Sequence, residues 1–134
     1  MATDFLDRCD AIEECYEFML GYAGKGIPGE GGSEIRTHLE HAAAALDGMA
    51  AACLDALAQA GAESLERARK FVSVLDRDAS DSLAAIEMVL GQPAINSQLI
   101  DNLNASIHLR ALLTDIFLIS DIVGANIPEL PEKS

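Results

Sequence analysis

Residues 33–57 read SEIRTHLEHAAAALDGMAAACLDAL, and the spacing of their apolar positions decides the fold class. Ile35, Leu39, Ala42, Leu46, Met49, Cys53 and Leu57 follow one another at intervals of 4, 3, 4, 3, 4 and 4. That is the repeat of a helix with one buried stripe. Ser33 is placed to cap the helix, and Glu34 to meet the partial positive charge of its first turn. The alanine runs at 42–45 and 50–52 widen the apolar face without adding bulk, so neighbouring helices can approach closely. Gly61 supplies a C-terminal stop.

The flanking segments carry the same cadence. Phe5, Cys9, Ile12, Tyr16 and Met19 predict a helix from about Thr3 to Tyr22, with Asp7, Asp10, Glu14 and Glu17 mostly on its far side. A connector at 24–32, rich in glycine and holding Pro28, separates it from the helix that begins at Ser33. Leu65, Ala68, Val72, Leu75, Ala79, Leu83, Ile86 and Leu90 predict a third helix capped by Ser64, which Gly91-Gln92-Pro93 ends. A fourth is expected from Ile95 or Asn96 to Val123 or Gly124. Pro128 and Pro131 then leave a tail over 128–134. No segment alternates as a strand does. The expected architecture is all-α, an antiparallel four-helix bundle forming one domain over 1–127.

Composition narrows the function. A chain of 134 residues with half of them apolar has enough material for one core. Nine basic residues against twenty-two acidic ones leave a formal charge of −13. Such a chain repels nucleic-acid phosphates and anionic membranes. The one basic cluster, Arg67, Arg69 and Lys70, holds no aromatic residue and is followed by Asp76 and Asp78. Cys9 and Cys15 lie six apart, where helical side chains diverge by about 120 degrees, so they are not expected to pair. The N-terminus carries acids where a secretion leader would carry a basic flank and an apolar core. A reducing cytoplasm is the expected location. No nucleic-acid or membrane partner is expected.

The segment from Leu109 to Ile127 is the most apolar, but Asp115 and Asp121 interrupt it and argue for a protein-buried helix over a membrane span. Leu99, Leu103, Ser106, Leu113, Phe117 and Ser120 are the residues expected to face the other helices. Ile116, Phe117, Leu118 and Ile119 are consecutive, and four such side chains cover about 300 degrees of a helix. One bundle interior cannot hide them all. The surplus predicts a homodimer whose interface draws on Leu109, Leu112, Ile116, Phe117, Leu118, Ile119 and Ile122. His108, Arg110 and Asp115 are the polar residues expected in that interface, with His108 or Arg110 as partner to a buried Asp115.

Candidate chemistry is sparse. Glu34, His38 and His41 are each about one turn apart, and Glu13 and Glu17 on the preceding helix can add oxygen ligands, so these five are the candidate set for a divalent metal. The paired Glu-x-x-His motifs of carboxylate-bridged di-iron bundles are absent. Histidine phosphotransfer bundles place a lysine and a glycine shortly after their histidine. Here Leu39-Glu40-His41 follows His38 and Leu109-Arg110-Ala111 follows His108, and neither has the glycine. The connector is no nucleotide loop, because Lys25 precedes most of its glycines, Glu30 repels phosphate, and no Lys-Ser or Lys-Thr opens the next helix. Cys9 and Cys53 fall on apolar stripes and are expected to be buried, with Cys15 the most exposed of the three thiols. Asp76, Asp78 and Asp81 are expected to be solvated or paired with Arg77 and Arg110.

The resulting expectation is a non-catalytic interaction or regulatory protein of unknown pathway, with no cofactor. The alternative is a metal- or small-ligand-binding bundle, an enzyme among its forms, that uses the acids and histidines of its first two helices.

Overall fold

The computed structural model describes residues 2–24, 33–59 and 65–125, and every regular element among them is an α-helix. Six follow in chain order: α1 (Ala2–Gly24), α2 (Ser33–Leu46), α3 (Met49–Gln59), α4 (Leu65–Leu90), α5 (Ser97–Asn104) and α6 (Ile107–Ala125). The connector at 25–32, the Gly61 stop, the Ser64 cap and the tail after 125 lie outside the described residues.

Two of the four helices expected from the sequence are interrupted. Between α2 and α3 the chain turns at Asp47-Gly48, and Gly48 adopts φ +81, a conformation that costs a residue with a Cβ about 1 kcal/mol or more. The turn does not disturb the stripe. All seven of its residues, Ile35 through Leu57, are buried. The break is stabilised from outside by Arg8, whose Nη1 donates to the carbonyls of Ala45 at 2.9 Å and of Asp47 at 2.5 Å, while its Nε meets Asp4 at 3.2 Å. Carbonyls at a helix end lack intrahelical donors, and a cation there also meets the negative end of the helix dipole. We expect Arg8→Ala to lower the urea midpoint by an amount worth about 1–2 kcal/mol without changing the slope. The same change at exposed Arg77 should stay within about 0.5 kcal/mol.

The second break lies between α5 and α6. Asn96 caps α5 by accepting from the Leu99 amide at 2.8 Å. At the other end the Ala105 amide donates to Asp101 and the Ser106 amide to Leu103, each at 3.0 Å, a tightened last turn after which α6 starts afresh. This resets the phase of the following helix. Leu109, Leu112, Ile116, Ile119 and Val123 point inward, together with Leu113, whereas Phe117 points out and Ser120 is only partly covered. Leu113 faces inward as expected, whereas the expected Phe117 and Ser120 are displaced by part of a turn.

Smaller corrections follow the same logic. The buried face of α1 runs Phe5, Cys9, Ile12, Cys15, Met19 and Tyr22, so Cys15 takes the place expected for Tyr16 and is buried rather than the most exposed thiol. On α4 the buried line is Val72, Leu75, Ala79, Ser82, Ile86 and Val89, with Leu83 and Leu90 at its edges.

Helices α1 and α4 each pack against α2, α3, α5 and α6, and so stand on opposite sides of the core. Two long-range clamps tie the ends. The buried Tyr22 hydroxyl donates to the Ile95 carbonyl at 2.6 Å, and Arg36 donates to the carbonyls of Leu90 at 2.7 Å and Gln92 at 2.8 Å. Arg36 thereby caps the end of α4 from the start of α2. None of the described helices is long and apolar enough to cross a membrane.

Candidate functional site

The face that the sequence marked for a partner divides in two. Leu109, Leu112, Ile116 and Ile119 are buried within the chain's own core, against α4 and α1. Phe117, Leu118 and Ile122 remain outside, at 52%, 49% and 41% exposure. Their spacing explains this. At about 100 degrees per residue, 118 and 122 lie one above the other, whereas 117 is about 100 degrees round from 118 with exposed Thr114 and Asp121 between them, and all three lie away from 112, 116 and 119. The result is three large apolar side chains spread over the outer surface of α6.

The polar residues expected there are arranged differently. His108 Nδ1 lies 3.7 Å from Asp81 Oδ2, and both side chains are about half exposed. Arg110 is exposed, and its carbonyl accepts from the Thr114 hydroxyl at 3.0 Å. Asp115 is buried, at 7% exposure, but neither His108 nor Arg110 is its partner. The group facing it is Asp78 of α4, a second carboxyl. Among the described residues, no donor reaches Asp115 Oδ2. Burial is the first cause that raises the Asp115 carboxyl to about 7, and the hydrogen bond and charge of Asp78 add to it.

The five candidate metal ligands lie on α1 and α2, which pack together, yet they do not converge. Glu17, Glu34 and His41 are exposed, and Glu13 and His38 are half-buried. The His38 ring stacks on Phe18, centroids 4.3 Å apart and planes inclined by 23°. Among the described residues, no group of three or more His, Cys, Asp or Glu is close enough to hold a metal ion. Cys9, Cys15 and Cys53 are free and buried, and burial pushes each thiol up to about 12. At neutral pH they are inert small hydrophobes, not nucleophiles.

One feature has no forerunner in the linear pattern. A groove of about 550 Å³ runs between α1 and α5 and ends at the start of α6. Its α1 side presents Tyr16, Leu20 and Ala23. Its α5 side presents Ser97, Asp101 and Asn104, and Arg110 stands at the α6 end. These positions lie about a turn apart on each helix, a periodicity that sequence reading takes for an ordinary solvated face. Asn104 is 7% exposed, and neither its Oδ1 nor its Nδ2 has a hydrogen-bond partner among the described residues.

No protein-family model, no curated protein and no solved structure matches the chain.

Proposed function

We propose that the protein is a non-catalytic interaction module that works as a homodimer, formed through the outer face of α6. The observation that carries this reading is the exposure of three large apolar side chains, Phe117, Leu118 and Ile122, on the outer face of one helix in a chain of net charge −13. Exposed apolar side chains of this size on one helix face fit a contact with a partner. A second copy satisfies it by two-fold symmetry, since the face can meet itself. In this reading the subunit is an antiparallel four-helix bundle in which α2 with α3 forms one arm and α5 with α6 another. The three buried, free thiols agree with a reducing cytoplasm as its location.

Light scattering of the full chain at tens of micromolar tests the proposal directly. We expect twice the mass of one chain. A monomer across that concentration range overturns self-association and leaves the face to a different protein.

A further inference from the structure

The groove between α1 and α5 calls for an occupant different from the one proposed for α6, and its chemistry is specific enough to name a class. Its volume of about 550 Å³ lies in the range of small-molecule sites, about 300–1,000 Å³. The two long walls differ in character. Leu20, half exposed, and Ala23 give an apolar side, while Ser97, Asp101 and Asn104 give a polar one, with a cation at one end. Arg110 and Asp101 make no ion pair among the described residues, so a guanidinium and a carboxylate both stand open to the same space.

We propose that this groove binds a small zwitterion of the α-amino-acid class, its carboxylate on Arg110 and its ammonium on Asp101. The planar guanidinium is matched to a carboxylate by two parallel hydrogen bonds. Asp101 lies about one helical turn from Asn104 and Ala105, and Arg110, in the first turn of α6, lines the same groove.

Charge selects against the alternatives. An anion meets the field of a chain of charge −13 together with Asp101, and a simple cation meets Arg110. A molecule of zero net charge with separated ends avoids both penalties. Its side chain then lies along Leu20 and Ala23, so an apolar amino acid binds more tightly than glycine.

The test is an NMR titration of the full ¹⁵N-labelled chain with L-leucine, glycine, N-acetyl-L-leucine and L-leucinamide. L-leucine should give saturable shifts in the amides of 16–24 and 97–110, and glycine weaker ones at the same positions. Removing either charge from the ligand should weaken binding at least about tenfold. Arg110→Gln should erase the preference for leucine over leucinamide, and Asp101→Asn the preference over N-acetyl-leucine. Both positions are exposed, and unchanged signals elsewhere report an intact fold. Absence of shifts at about 10 mM leucine, equal binding of the blocked ligands, or indifference to both substitutions overturns the assignment. Asp101 lies on α5, away from Phe117, Leu118 and Ile122, so Asp101→Asn keeps this test distinct from light scattering; Arg110 is two turns before Phe117 on the same face of α6, so the mass of Arg110→Gln is checked as well.

Discussion

Leu118→Glu should turn a dimer into a monomer without unfolding it. Leu118 is half exposed on the single chain, so a glutamate there costs the isolated subunit little. In a two-fold interface it would appear twice, once from each subunit, and two carboxylates would be desolvated against the opposing Phe117 and Ile122 side chains. Each subunit already carries a charge of −13, which adds to the repulsion. We expect dimer dissociation to become at least about 100-fold more favourable, close to 3 kcal/mol, read by sedimentation equilibrium. Circular dichroism should show the helix content retained. Two comparisons locate the effect. Leu20→Glu places the same charge at an exposed leucine on α1 and should leave the dimer intact, whereas Ile116→Glu buries a charge in the subunit core and should unfold it. A dimer that survives Leu118→Glu and dissociates with Leu20→Glu would put the interface on α1 instead.

The second large effect concerns Asp115. Its carboxyl titrates near 4 in an unfolded chain and is raised to about 7 in the folded one by burial and by Asp78 beside it. Between those two values the folded state holds the extra proton. Stability from this group is therefore greatest on the acid side, declines as pH rises from about 4 to about 7, and levels off above the folded value. Full linkage for such a displacement is about 4 kcal/mol, and water reaching the half-buried Asp78 reduces it to about 2 kcal/mol. Asp115→Asn keeps the shape and supplies a permanent donor toward Asp78. It should stabilise the protein by about 2 kcal/mol at pH 8 and by almost nothing near pH 3.5, where the aspartic acid is largely neutral in the folded and the unfolded chain alike. Urea unfolding at a fixed protein concentration measures the difference and keeps the dimer contribution constant. If the substitution instead destabilised the protein equally at both pH values, Asp115 would be an ionised residue with a cationic partner, the arrangement that the linear sequence suggested with His108 or Arg110.

That exchange of partners shows where sequence reasoning ran short. Asp78 and Asp115 are far apart in the chain, and nothing in either neighbourhood announces the other. His108 lies two turns before Asp115 on the same face of α6 and also meets α4, but at Asp81 and not at Asp115, while Arg110 turns to the exposed side. The groove was hidden for the same reason. Tyr16 and Leu20 on one helix, and Asp101 and Asn104 on another, belong to one space only because Tyr22 fastens the end of α1 to Ile95 just before α5 begins.

Periodicity alone was sufficient for the all-helical class, for the seven buried positions from Ile35 to Leu57, and for a surplus of apolar surface near 116–119. These depend on spacing within one segment, which the covalent chain sets at 100 degrees per residue. What only the tertiary structure decided was the phase of each stripe and the pairing between them. A left-handed glycine at 48 preserved the register of one interrupted helix, and the tightened turn at 103–106 shifted that of another. A shift of less than a turn moves a side chain from core to solvent, so it determined that Ile116 and Ile119 fill the subunit while Phe117, Leu118 and Ile122 are left on its surface.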